Sequence, residues 1–257
     1  MSEHIETRVE KGVLEILFRR PKTKNSFLVT MYAAVSDALR NADADPTVRV
    51  IVLRGEGGNF SSGNDLQDFL DNPPSGPDSI TFQFMQTMRA TKKPIVAAVD
   101  GVVVGIGSTM LFQCDLVYAA DNAKFILPFV NLATVPECGA SFLLPLMAGI
   151  PKASELFFFG EPFDAATADR VGLVTRVLPA DELHAYVTNR AQKLAAQPSE
   201  SLQRTKMLLK KANDAALAAH MDEEATHFCE LMRAAPCREA IAAFFEKRAP
   251  NFAQFES

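Results

Sequence analysis

The stretch from Lys93 to Pro145, KPIVAAVDGVVVGIGSTMLFQCDLVYAADNAKFILPFVNLATVPECGASFLLP, constrains the fold more than any other part of the chain. Pro94 to Val99 is an apolar run closed by Asp100-Gly101, which predicts a buried strand ending in a turn. From Gly105 the apolar spacing becomes helical. A helix that starts there turns free backbone N–H groups and the positive end of its dipole toward the preceding loop, which suits a developing negative charge. Further on, Glu137 stands alone among Val135, Pro136, Cys138, Gly139 and Ala140. Apolar surroundings raise the pKa of such a carboxyl group. One segment therefore combines a prospective anion site with a prospective acid or base.

The rest of the chain alternates strand and helix signals around this segment. Ile5, Thr7 and Val9 alternate with polar residues, and Lys11-Gly12 turns the chain into Val13 to Phe18, predicting a hairpin. Leu28, Met31, Val35, Ala38 and Leu39 share one helical face that ends at Asp45-Pro46. Val48 to Leu53 predicts a strand that delivers Asn59 to Leu66 at its carboxyl end, where layered α/β folds commonly hold ligands. Asp71 to Asp78, DNPPSGPD, excludes helix and strand and predicts a mobile surface loop and a candidate lid. A helix over Ile80 to Ala90, strands over Asp115 to Ala119 and Lys124 to Ile126, helices over Lys152 to Phe159 and Ala165 to Val171, and a strand over Leu173 to Leu178 follow. Beyond Pro198 only amphipathic helical faces remain, generous enough to cover the protein's own core or a neighbouring subunit. The alternation predicts an α/β layered fold.

Several function classes are excluded at this level. A net charge of −5 disfavours nonspecific contact with phosphate backbones, so nucleic acid is not an expected partner. Cys114, Cys138, Cys229 and Cys237 form no paired spacing, which fits reduced thiols in a cytoplasmic setting and no metal. There is no apolar leader and no run long enough to span a membrane. A P-loop, a complete dinucleotide fingerprint, G-x-S-x-G and H-E-x-x-H are all absent. His4, His184, His220 and His227 lie outside the central stretch and read as solvated.

Phe60-Ser61-Ser62-Gly63-Asn64-Asp65-Leu66, Lys93 to Gly101 and Cys114 to Ala119, in that order, make the chain resemble the enoyl-CoA hydratase/isomerase, or crotonase, superfamily. The resemblance runs from Arg20-Pro21 to Phe244-Phe245-Glu246-Lys247-Arg248. It implies a ββα spiral core over residues 1–197, carrying a site for a CoA thioester. It also implies a helical trimerisation region over 198–257, with a homotrimer or dimer of trimers as the assembly. Two backbone amides of the family hold the thioester oxygen; the matching positions are Asn64 and Ile106, flanked by Ser62, Gly63, Asp65 and Gly105. The two glutamates with which hydratases activate water correspond to Thr109 and Phe129, so both carboxylates are gone.

Thr134-Val135-Pro136-Glu137-Cys138-Gly139 instead resembles the peroxisomal type of Δ3,Δ2-enoyl-CoA isomerase, in which that glutamate is the catalytic base. Thr134-x-x-Glu137 is equally a helix-capping box, and that structural alternative stands beside the catalytic one. Asp65 reads as a loop-holding residue. For the CoA moiety the resemblance points to Lys24, and to Phe244 and Lys247 as positions that can reach a neighbour's CoA. The implied activity is an isomerase of fatty-acid β-oxidation that shuttles one proton from C2 to C4 on Glu137. It needs no cofactor beyond the CoA of its substrate. The alternatives are another enolate reaction on an acyl-CoA, such as weak hydration or decarboxylation, and a non-catalytic acyl-CoA-binding subunit.

Overall fold

In the computed structural model, which describes residues 2–255, the chain opens with a hairpin. Its strands β1 (Ile5–Glu10) and β2 (Val13–Phe18) pair antiparallel, with Ile5 opposite Phe18 and Glu10 opposite Val13. Lys11 and Gly12 both take positive φ, 50° and 79°, as a two-residue hairpin loop requires. Then follow α1 (Val29–Ala44), β3 (Val50–Gly55), α2 (Leu66–Asp71), α3 (Ile80–Ala90), β4 (Ile95–Val99), β5 (Val102–Val104) and α4 (Ile106–Thr109). The middle of the chain forms β6 (Leu116–Ala120), β7 (Lys124–Ile126), α5 (Ala140–Ala148), α6 (Ile150–Phe159), β8 (Phe163–Asp164), α7 (Ala165–Arg170) and β9 (Arg176–Leu178). Helices α8 (Leu183–Ala195), α9 (Ser199–Lys211), α10 (Asp214–Met232) and α11 (Ala235–Phe245) complete it.

The larger sheet has the order β1-β2-β3-β4-β6-β9 and is parallel after the first hairpin. Apart from Arg54 near the end of β3, its central strands are apolar because both faces are covered. On one face Val50, Val52, Val96, Ala98 and Tyr118 pack against Leu183, Val187 and Ala191 of α8. The alternate residues Ile51, Leu53, Ile95, Ala97 and Val99 join the main core on the other face. A smaller sheet, β5-β7-β8, stands apart. Ser61 extends it by an isolated parallel bridge to Val103, which pairs in turn with Phe125.

A repeat emerges from this pairing. A strand of the large sheet (β3, β4, β6) leads to a rung of the small one (Ser61, β5, β7) and then toward a helix (α2, α4, α5). Successive turns therefore stack, and the loops at Ser62–Asp65 and Gly105 come to lie side by side.

Several expectations are corrected. α2, β5 and β8 were not anticipated, each being six residues or fewer. The proline-rich segment after Asp71 is irregular, as its composition demands. Arg233, at the end of α10, donates from Nη2 to the Ser75 carbonyl at 2.8 Å, and residues 72–78 do not border the cavity described below. His220 and His184 also reach the central stretch. His220 Nε2 lies 2.8 Å from Ser141 Oγ, and His184 Nε2 lies 3.3 Å from Asp100. The boundary expected at 197/198 falls between α8 and α9, and α10 and α11 contribute Leu217, Met221, Phe228, Cys237 and Ile241 to the main core.

Candidate active site

The turn around Asn25 sets the position of the first loop. Asn25 is buried at φ 58°; its amide group donates to the carbonyls of Glu56 and Asn59, and its side-chain oxygen accepts from the Arg20 N–H. The Ser62 N–H donates to the Lys24 carbonyl and the Ser62 hydroxyl to that of Thr23, closing the loop onto the turn. Asp65 caps α2 through the Asp68 amide, and its Oδ2 lies 3.1 Å from Arg20 Nη2. Burial works to raise the Asp65 pKa, but the Asp68 amide, Arg20 and Ser26 together hold it below the ordinary value. Asp65 is thus committed to the loop.

Gly63 and Gly105 bring two chain segments into contact. A Cβ on Gly63, which sits at φ 88°, would lie 2.9 Å from the Val104 carbonyl oxygen, and one on Gly105 would lie 4.0 Å from the Gly63 Cα. Gly105 takes φ 53°, ψ −121°, a conformation essentially closed to other residues. Each glycine is followed by an amide, that of Asn64 and that of Ile106, with no hydrogen-bond partner among the described residues. The Asn64 side chain is held by the Tyr32 hydroxyl, a contact no local sequence pattern foreshadowed. α4 is a single turn, so its dipole contributes less than expected from the sequence; what it presents is the Ile106 amide. Ile106 is fully buried in the core and is not among the residues bordering the cavity; its neighbour Gly105 is.

These loops form one wall of a cavity of about 750 Å³, a volume typical of small-molecule sites. Lys24, Ser62, Gly63, Asn64, Asp65, Gly105, Phe129, Glu137 and Phe244 all border it. Lys247 does not; it lies in the turn after α11 at φ 55°. α11 packs over the short helical turn Val130–Leu132, and Phe244, largely exposed, borders the cavity of its own chain. Arg248, which the sequence reading did not single out, is also at the cavity and pairs with Glu239 and Glu246. Apolar walls come from Phe69, Phe228, Met232 and Ile241, with Phe228 edge-on to Phe69 at 5.9 Å.

Asp65 and Glu137 are the only carboxylates on the cavity among the described residues. Glu137 is 1% exposed, and neither of its oxygens has a hydrogen-bond partner among the described residues. Burial, with a smaller push from the charge of Glu224, raises its pKa to about 8. Burial also lifts the Tyr32 phenol well above its usual range, and the charge of Glu137 adds to it, so the acid and the Asn64 loop share one electrostatic neighbourhood.

The capping-box alternative for Glu137 fails. α5 begins only at Ala140 because Cys138 and Gly139 are left-handed at φ 63° and 75°, and the Thr134 hydroxyl turns back to the Phe129 carbonyl at 3.1 Å. The position matching a second glutamate, Thr109, is fully buried and off the cavity, while Phe129 forms part of its wall beside Phe157, at 6.4 Å between ring centres. A buried, unpaired acid on the same cavity as Asn64, with the Ile106 amide one residue behind Gly105 of the cavity wall, is a set of groups that can move a proton near a developing oxyanion. No helix of the described residues is long and apolar enough to cross a membrane.

Comparison with known proteins agrees with this architecture. The signature of the family described as enoyl-CoA hydratase/isomerase matches residues 8–255. The chain is 33% identical over 260 residues to the 1,2-epoxyphenylacetyl-CoA isomerase of Escherichia coli, covering 98% of this chain and 99% of that protein. It is 35% identical over 245 residues to enoyl-CoA delta isomerase 2 of Rattus norvegicus, covering 93% of this chain but only 62% of that protein's length. Among solved structures, an enoyl-CoA hydratase/isomerase from Pseudoalteromonas atlantica superposes with a TM-score of 0.92 at 36% identity, over 97% of this chain and all (100%) of the other. OdaA of Pseudomonas aeruginosa gives the same TM-score, 0.92, at 36% identity, over 95% of this chain and 99% of the other. The stacked strand-strand-helix repeat is therefore the crotonase-like α/β fold, and the chain belongs to the enoyl-CoA hydratase/isomerase family.

Proposed function

We propose that the protein is a Δ3,Δ2-enoyl-CoA isomerase in which Glu137 is the single proton carrier. The observation that carries this reading is that, among the described residues, Glu137 is the one cavity carboxylate left without a hydrogen-bond partner. In a 3-enoyl thioester the C2 hydrogens are acidified by both the carbonyl and the double bond. Glu137 removes one, the electrons pass through C2 to the thioester oxygen, and the Asn64 and Ile106 amides stabilise the resulting dienolate. The carboxyl then returns its proton at C4, leaving the double bond between C2 and C3. Each such amide is worth about 2.7–4 kcal/mol in the transition state, and the proton transfer a further factor of about 10²–10⁴.

Water addition is disfavoured because it calls for a second acid or base to activate the nucleophile, and Phe129 makes that part of the wall apolar. Lys24 at the cavity is the proposed contact for the charged CoA moiety, with Phe244 against its apolar parts.

The test is turnover of 3-enoyl-CoA thioesters by the purified protein, with 2-enoyl-CoA as the hydration control. Isomerised product without hydrated product is expected, and Glu137→Gln should lower kcat by about 10²–10⁴ while CoA-ester binding persists. Full turnover by the variant, or hydration as the main reaction, refutes the proposal.

A further inference from the structure

The Glu137 carboxylate has no hydrogen-bond partner among the described residues, so no polar contact of its own fixes its direction. Its aim depends on the backbone that follows, and that backbone is unusual. Cys138 and Gly139 are consecutive left-handed residues, the first of them not glycine. Such a conformation persists only where the surroundings over-determine it. Two side chains from distant elements do so. Gln113 Nε2 donates to the Cys138 carbonyl at 2.7 Å. Glu224 of α10, only 5% exposed, accepts from the Gly139 N–H at 2.7 Å, from the Ser141 N–H at 3.0 Å, and from the Ser141 hydroxyl.

We propose that Glu224 is a positioning residue which, by clamping Gly139 and Ser141, aims Glu137 at the reacting carbons of the substrate. The proposal rests on Glu137 being the proton carrier. A helix N-terminus is ordinarily capped by a nearby Ser, Thr, Asn or Asp. Here the cap is a buried carboxylate brought from another helix and set close enough to Glu137 to add to its proton affinity by like-charge repulsion. A purely structural cap does not call for a second acid at that place. Burial raises Glu224 itself to about 7, against the lowering effect of its three hydrogen bonds. The other ionisable groups facing this pair are Tyr32 of α1, Cys138, His220 with Nε2 3.8 Å from Glu224 Oε1, and Lys210 of α9, which donates to the Gln113 carbonyl.

The experiment is steady-state isomerase kinetics on a 3-enoyl-CoA across neutral and alkaline pH for wild type, Glu137→Gln, Glu224→Gln and Ser141→Ala, with folding followed by circular dichroism. Glu224→Gln is expected to lower kcat by roughly 10–100-fold, as a small misplacement of a reacting group does, with KM within about twofold. It should also move the acid limb of the pH profile to lower pH, because the repulsion on Glu137 is gone. Ser141→Ala, which keeps both carboxylates and removes one donor, should lower kcat several-fold at unchanged KM.

A folded Glu224→Gln protein with wild-type kcat, or with reduced activity and an unmoved acid limb, overturns the proposal. If that variant does not fold, wild-type kcat in Ser141→Ala overturns it instead. Turnover retained by Glu137→Gln sinks the role of Glu137 itself; loss there with a wild-type-like Glu224→Gln sinks only the clamp.

Discussion

A Glu137 pKa of about 8 means that about a tenth of the free enzyme carries the ionised base at pH 7. Since the base must be ionised to act, kcat/KM is expected to rise about tenfold per pH unit below that value and to level above it. A profile flat from pH 6 upward would contradict the assignment. The same shift affects folding. Between the ordinary value of 4.5 and about 8 the native protein keeps a proton that the unfolded chain has released. Stability therefore falls as pH rises through that window and flattens beyond it, by on the order of 4–5 kcal/mol for this group alone. Glu137→Gln should accordingly be more resistant to urea than wild type at alkaline pH and show a shallower pH dependence of its unfolding midpoint.

Gly105 joins two elements, β5 and α4, and its conformation decides where the Ile106 amide points. Gly105→Ala should lower kcat by roughly 10²–10³-fold, the cost of losing one oxyanion donor, with a modest loss of thermal stability. Wild-type kcat in that variant would remove Ile106 from the proposed oxyanion site. The elements around this point were unequally legible in the sequence. α3 over Ile80–Ala90 and β7 over Lys124–Ile126 coincide with their apolar patterns because a single period dominates each. β5 was missed because three valines after Asp100-Gly101 are too short to set a period, and its pairing with β7 is decided elsewhere in the chain. The capping-box alternative at Thr134 fails for a related reason: the local signature is genuine, but Glu224, 85 residues from Gly139, supplies the cap instead. Tyr32 comes to the site through tertiary folding alone and sits in no pattern that marks it, while Arg248 lies in the Phe244–Arg248 segment of the resemblance without a role being assigned to it there.

Over the whole molecule, the C-terminal helices face two ways. Phe228, Met232 and Ile241 turn inward to the cavity, while Met207, Leu208 and Leu209 of α9 lie exposed, Leu209 at 80%. Ile150, Phe158 and Phe159 of α6 are exposed as well. Apolar area of this extent on a single chain points to self-association, and a trimer or dimer of trimers remains our proposal. Sedimentation at a multiple of the 28.1 kDa chain mass is expected. The Leu208→Glu, Leu209→Glu double variant should lower that mass; a monomeric wild type would refute the proposal.

α10 and α11 also set the order in which competence is acquired. The free amides precede the far wall of the chamber and the carboxylate that braces the turn after Glu137, both of which come from α10 and α11, after the strands of both sheets. A nascent chain can complete both sheets and still offer an acyl thioester only an open, wet cleft. Until α10 and α11 dock, a partly made protein has no closed chamber in which the proposed proton transfer could run.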